Sequence, residues 1–237
     1  MTKIVISGAL GRMGKHITEL AKKDQELEIA GLLEKEPRAD LNIFSSLHEI
    51  KKDFDCVIEF TTPEATIARL AEVKSKKKAI VIGTTGISEE QKKTILEASK
   101  AIPVVFAPNM STGVNIFLSL IENLAKALGK NYSVKVKETH HVHKKDKPSG
   151  TAKLMAEIVR KNYGSEGDIE MESVREGEIV GNHEISFESA LETIKISHSA
   201  KTRDILAMGA LRAAKFVAGK KNGMFDMFDV LGLKKGE

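Results

Sequence analysis

The residues best placed to do chemistry lie between 138 and 151, where the chain reads Glu-Thr-His-His-Val-His-Lys-Lys-Asp-Lys-Pro-Ser-Gly-Thr. Three of the seven histidines, His140, His141 and His143, fall within four residues. In an extended strand His141 and His143 would share one face while His140 points to the other, an awkward set for one three-histidine metal centre. A histidine near a lysine suits proton handling instead, because an imidazole titrates near neutral pH. Pro148-Ser149-Gly150-Thr151 then opens a stretch with helical spacing. The first amides of a helix have no acceptor inside it, so with the Ser149 and Thr151 hydroxyls they make an anion site. Lys144 stands between the histidines and that site. The chemistry this suggests is an anionic substrate clamped at the helix start while His140 or Lys144 moves a proton. A solvated basic loop ending in a serine cap is the plainer alternative.

A second group of residues begins at Gly8-Ala9-Leu10-Gly11-Arg12-Met13-Gly14, between a strand pattern and a helix pattern. Glycines there allow a tight turn and let a pyrophosphate approach the backbone, and the helix start offers free amides. Glu34 follows 20 residues after Gly14, at the end of the next strand pattern, where a carboxylate would accept the ribose hydroxyls of a dinucleotide. A carboxylate favours NAD over NADP, but Lys35 and Arg12 could offer the extra phosphate a cation. Gly83-Thr84-Thr85-Gly86, Ala107-Pro108-Asn109-Met110 and Phe60-Thr61-Thr62 also fall at strand ends, and together they fit a nicotinamide crevice.

The elements that must position these groups fall into two kinds. Solidly apolar runs at 3–7, 27–34, 54–60, 79–83 and 102–107 alternate with helical spacing at 12–23, 63–75 and 88–100. That alternation predicts a doubly wound, Rossmann-like parallel sheet. After a helix at 113–128, capped by Ser111 or Thr112, the strands at 132–141, 183–189 and 190–199 alternate apolar and polar. Such strands predict an α+β domain whose mixed or antiparallel open sheet has one packed face and one polar face or interface. The domains expected are 1–111, completed by a helix and an apolar segment in 204–237, and 112–203. Residues near 111 and 203 are hinge candidates for a closure that brings cofactor and substrate together. Arg203 could contact an anion or the hinge.

Composition narrows the classes. The formal net charge of +4 comes from 37 Lys plus Arg against 33 Asp plus Glu, with the signs interleaved and aromatics only 5%, unlike a nucleic-acid binder. Cys56 is alone, so no internal disulfide forms, and its apolar strand reads as a burial site. No run of about 18 apolar residues exists to span a membrane, and the start has no signal-peptide anatomy. A cytoplasmic location is expected.

Taken together, the motifs resemble those of the dihydrodipicolinate reductases. The likeness covers GALGRMG at 8–14, Phe60-Thr61, GTTG at 83–86, APNMS at 107–111 and ETHHVHKKDKPSGTA at 138–152. It continues through REGEIVGNH at 175–183, SHSAKTRDILAMGAL at 197–211 and DVLGL at 229–233. The resemblance implies NAD(P)H-dependent reduction of (2S,4S)-4-hydroxy-2,3,4,5-tetrahydrodipicolinate to tetrahydrodipicolinate and water, in lysine biosynthesis through diaminopimelate. It implies His140 as proton donor and acceptor and Lys144 as proton donor. His141 and the Gly150-Thr151 amides would hold a substrate carboxylate, with Ser149 nearby. NADH or NADPH would rest on Gly8, Ala9, Leu10, Gly11, Arg12, Met13, Glu34, Lys35, Phe60, Gly83, Thr84, Thr85, Ala107, Pro108, Asn109 and Met110. No metal site is implied, and the family's usual assembly is a homotetramer that pairs its second-domain sheets. The loop at 35–45 is short for the family, so the cofactor preference stays open with a lean to NADH. The alternatives are another Rossmann dehydrogenase, or a cofactor sensor without catalysis.

Overall fold

The computed structural model describes residues 1–164 and 169–233. Its contacts divide the chain into two compact units, Met1–Thr112 with the segment from Asp204 onward, and Gly113–Arg203.

The first unit is built on β1 (Thr2–Ser7), β2 (Leu27–Leu33), β3 (Ile43–Phe44), β4 (Cys56–Glu59), β5 (Ala79–Ile82) and β6 (Pro103–Phe106). With the late strand β11 (Gly223–Phe225) these form a seven-stranded parallel sheet in the order β11-β6-β5-β4-β1-β2-β3. Strand residues alternate faces, so each apolar run feeds two cores. Ile4, Ile6, Cys56, Ile58 and Val81 pack against α1 (Arg12–Ala21) and α6 (Asp204–Ala218). Val5, Val57, Ile80 and Ile82 meet Leu70 and Val73 of α2 (Pro63–Ser75) and Ile95 of α3 (Glu89–Ser99) on the other face. Local chemistry starts these helices: Thr62 caps α2 ahead of Pro63, and Ser88 with Gln91 forms a capping box on α3. Since β2 lies to one side of β1 and β4 to the other, the order in which strands are added reverses between β1 and β4. Ligands of open parallel sheets bind at that switch point, beyond the carboxyl ends of the strands.

The second unit carries α4 (Thr112–Leu128, its first residue in the other unit), β7 (Ser133–His140), α5 (Gly150–Tyr163), β8 (Glu170–Arg175), β9 (Gly181–Glu188) and β10 (Thr193–Ala200). The sheet order is β10-β9-β7-β8, antiparallel except for the parallel β7–β8 pair, so it is mixed. Val134, Val136, Glu138 and His140 of β7 face inward and are buried. Lys135 and Lys137 face outward and pair with Glu170 and Glu172 across the β8 edge.

Several sequence expectations change in detail. Strand β7 stops at His140, because the Glu176 amide takes the His140 carbonyl and Val142 N–H donates to Gly177, so 141–143 form a turn. The alternating face of His141 and His143 therefore does not exist. The strand expected at 190–199 begins at Thr193, since Ser189 turns the chain by accepting the Leu191 and Glu192 amides. β3, β8 and β11, and the short α7 (Met227–Leu231) inside the expected apolar segment, are added elements.

Candidate active site

The glycine loop of the first unit is shaped by close approaches. Gly8 has φ +78°, and a Cβ there would lie 2.8 Å from the Phe60 carbonyl oxygen. A Cβ on Gly14 would lie 2.0 Å from the Gly8 carbonyl oxygen, so α1 can reach the turn only with glycine at that position. The Gly8 and Ala9 amides both donate to the Leu33 carbonyl, and Gly11 N–H donates to Gly8. α1 starts at Arg12 with no side-chain cap on Gly11, which leaves the helix start to an outside acceptor. Glu34 is tied to this loop: its Oε1 accepts the Leu10 amide at 2.6 Å. Leu10, Arg12, Lys35, Thr85 and Pro108 are exposed around it, and Met13 is half-buried.

The other strand-end loops interlock behind the glycine turn. The Phe60 ring lies where a Cβ on Gly83 would sit. Thr84 is buried, and its hydroxyl oxygen accepts the Thr61 amide at 3.2 Å and hydrogen-bonds Thr66 at 2.8 Å. Burial pushes the neighbouring Glu59 carboxyl up, although Thr61 donates a short hydrogen bond to it. Ala107 and Met110 are buried, and Asn109 accepts the Ser111 amide through its side chain. Cys56 is buried within the sheet, its thiol pushed up by the same desolvation. A turn without Cβ atoms at Gly8, Gly11 and Gly14, beside an uncapped helix start, fits a dinucleotide pyrophosphate.

In the second unit, β7 delivers His140 at its last residue and α5 begins ten residues later at Gly150. Ser149 caps α5, accepting the Ala152 amide at 3.2 Å, and its hydroxyl meets Nε2 of His183 at 3.3 Å. His183, on β9, also stands edge-on to His140 with ring centroids 5.1 Å apart. His183 thus touches both the proton-handling candidate and the head of the candidate anion site, which brings His140, Ser149 and Gly150 into one place. Burial, reinforced by the charges of His140 and His198, lowers the His183 pKa to about 4.

The surroundings of His140 and Lys144 include groups that the motif reading left out. His140 Nδ1 makes a short hydrogen bond to Glu138 Oε2. Glu138 Oε1 lies 2.9 Å from Nη1 of Arg175. Burial acts to raise Glu138, but Ser173, Arg175 and His140 outweigh it and hold the carboxyl below its usual range. His140 is itself lowered, mainly by burial, with the Lys144 and Arg175 cations pushing the same way against Glu138. Lys144 Nζ pairs with Asp146 at 2.8 Å, and His141 accepts the Lys144 amide through its carbonyl. His143 is exposed, with Glu178 3.5 Å away. Glu138 could have been suspected from sequence, because it shares a strand face with His140 two residues later. Arg175 and His183 are the ends of the REGEIVGNH stretch that carries part of the family likeness, but no spacing tied them to His140: the β7–β8 and β7–β9 pairings bring them in.

Comparison with known proteins gives this arrangement a family. Residues 2–110 match the family described as dihydrodipicolinate reductase, N-terminus, and residues 113–231 match dihydrodipicolinate reductase, C-terminus. The 4-hydroxy-tetrahydrodipicolinate reductase of Hahella chejuensis is 42% identical, with 99% of this chain and 100% of that protein covered. The protein of that name from Geotalea daltonii is 39% identical over the same shares. Among solved structures, a dipicolinate-bound dihydrodipicolinate reductase from Paenisporosarcina sp. TG-14 is similar in fold, with a TM-score of 0.82 at 20% identity over 97% of this chain and 98% of that one. A diaminopimelate dehydrogenase from C. glutamicum shares the fold more loosely, with a TM-score of 0.61 at 12% identity over 99% of this chain and 96% of that one. The chain belongs to the dihydrodipicolinate reductase family, oxidoreductases of diaminopimelate and lysine biosynthesis.

Proposed function

We propose that this chain reduces (2S,4S)-4-hydroxy-2,3,4,5-tetrahydrodipicolinate to tetrahydrodipicolinate with loss of water, using NADH or NADPH. The observation that carries the reading is the contact of His183 with both His140 and Ser149, which makes one site of a proton carrier and a helix start suited to a carboxylate. A substrate with two carboxylates matches a site rich in His and Lys.

The nicotinamide supplies a hydride when bound. The turn of Gly8, Ala9, Leu10 and Gly11 would lie against the dinucleotide's pyrophosphate, the amides of Arg12 and Met13 at the start of α1 would donate to it, and Glu34 would take ribose hydroxyls. Lys35 and Arg12 offer cations to the phosphate that distinguishes NADPH, so use of both cofactors is expected. Phe60, Gly83, Thr84, Thr85 and the loop Ala107, Pro108, Asn109 and Met110 line the nicotinamide end. His141, Ser149 and the amides of Gly150 and Thr151 hold a substrate carboxylate. Lys144 or His140 would supply the proton that meets negative charge developing on the substrate. The protein acts in the cytoplasm as a homotetramer, with the outer face of the four-stranded sheet as the pairing surface, and sedimentation velocity tests that assembly.

The reaction is tested by mixing fresh condensation product of pyruvate and aspartate semialdehyde, made by its synthase, with the protein and either cofactor, and following loss of absorbance. Substrate-dependent oxidation is expected. Lys144→Ala is expected to lower turnover by on the order of 10²-fold or more with cofactor affinity unchanged. No oxidation with either cofactor, from folded protein that binds it, overturns the reading.

A further inference from the structure

We propose that Glu138 and Arg175 are positioning residues for proton transfer: Glu138 fixes His140 with Nδ1 protonated and Nε2 left for the reacting proton, and Arg175 locks that carboxylate to the loop carrying Lys144. The inference rests on the reading of His140 as a proton carrier.

The geometry is that of a carboxylate with no role in solvent. Glu138 is buried on the inner face of β7, in register with Ser173 of β8 on one side and His183 of β9 on the other. A carboxylate in such a place costs several kcal/mol unless both oxygens find partners, so its retention in the core needs an explanation. One oxygen takes Nδ1 of His140, and the other lies 2.9 Å from Nη1 of Arg175, an ion-pair contact without hydrogen-bond geometry because that nitrogen donates to the Val174 carbonyl. An imidazole held this way at Nδ1 presents only Nε2 for exchange. Gly181 on β9 keeps room there, since a Cβ at that position would lie 2.9 Å from Nε2.

Arg175 extends the control to the lysine. Its Nε donates to the Lys144 carbonyl at 3.3 Å, and Nη2 donates to the carbonyl of Asp146, whose carboxylate holds the Lys144 amine at 2.8 Å. One planar guanidinium, with five donors in a fixed fork, therefore sets the backbone under Lys144 and the carboxylate behind His140. The charged and titratable groups that face His140 are Glu138 on its own strand, Arg175 on β8, His183 on β9 and Lys144 in the following loop. Only Glu138 among them stabilises the imidazolium.

The test compares Glu138→Gln, Glu138→Asp and His140→Gln in the full chain, reading kcat and KM against pH in the coupled assay and the unfolding midpoint. Glu138→Gln should lower kcat at least tenfold with cofactor KM unchanged. It should also move the pH limb that His140→Gln abolishes to lower pH, and Glu138→Asp should restore part of both. If His140→Gln lowers turnover but Glu138→Gln changes only the unfolding midpoint, the pair is merely structural and the inference is overturned while the reading of His140 stands. If His140→Gln leaves turnover intact, that reading falls and the inference with it. Should Glu138→Gln fail to fold because the Arg175 charge loses its counter-ion, Glu138→Gln/Arg175→Gln removes both charges, and an unchanged kcat there overturns the proposal. Nitrogen-15 NMR of the wild-type His140 ring decides the tautomer directly: a proton resident on Nε2 at neutral pH would also overturn it.

Discussion

Gly209→Ala is the substitution whose consequence can be worked furthest from the geometry. Gly209 sits in the middle of α6, where a Cβ would lie 1.7 Å from the Met110 carbonyl oxygen, half the 3.4 Å at which ordinary contact begins. The helix has little freedom to retreat: Ala207, Ala210, Ala213, Ala214 and Val217 on either side are buried in the core under the sheet. The loop 107–110 must therefore move by more than an ångström or the helix must bend. Overpacking of this kind costs about 1–3 kcal/mol. In a protein of this size that corresponds to a fall in the unfolding midpoint of roughly 2–12 °C. A displaced loop at the nicotinamide end should also weaken NADH binding by on the order of tenfold, equivalent to about 1.4 kcal/mol. Differential scanning fluorimetry reads the first effect and cofactor fluorescence titration the second. An unchanged midpoint refutes the packing argument. A lowered midpoint with wild-type cofactor affinity refutes the assignment of 107–110 to the cofactor cradle.

Two further outcomes follow from single contacts. Glu34 holds the Leu10 amide and is assigned to the ribose, so Glu34→Gln should raise KM for NADH and move the NADPH/NADH ratio of kcat/KM upward; an unmoved ratio removes Glu34 from cofactor choice. His183 titrates near 4 in the folded protein against about 6.5 unfolded, so it contributes stability that is full above about pH 6.5 and is lost as pH falls toward 4, about 3 kcal/mol in all. Urea midpoints at pH 7 and pH 4.5 should therefore converge in His183→Gln relative to wild type, and an equal fall in both proteins contradicts that origin.

The sequence made the parallel sheet legible because its strands are apolar on both faces, and α2 and α3 between them carry their own caps. It was blind where an element draws its stability from a partner distant in the chain. β8 reads Glu-Met-Glu-Ser-Val-Arg, which has no apolar run, and it is held by the Lys135 and Lys137 pairs and the ladder to β7. β11 spans Gly223–Phe225, too short to announce itself, and exists by adding to β6. The site divides in the same way. His140, Lys144 and the glycine loop stand out because their function depends on local spacing. The groups that tune them, Glu138 apart, come from strands that only long-range pairing brings alongside. The His141–His143 face failed because hydrogen bonds from Glu176 and Val142 turn the chain after His140, one residue before the expected end of the strand.

The most direct test of the central claim is a crystal structure of the protein with cofactor and pyridine-2,6-dicarboxylate, a planar analogue of the substrate. One carboxylate is expected on the amides of Gly150 and Thr151 beside His141, with Lys144 and Nε2 of His140 turned toward the ring. An analogue bound elsewhere in the folded, cofactor-loaded protein, or bound with His140 and Lys144 out of reach of it, would contradict the assignment of proton transfer to those two residues.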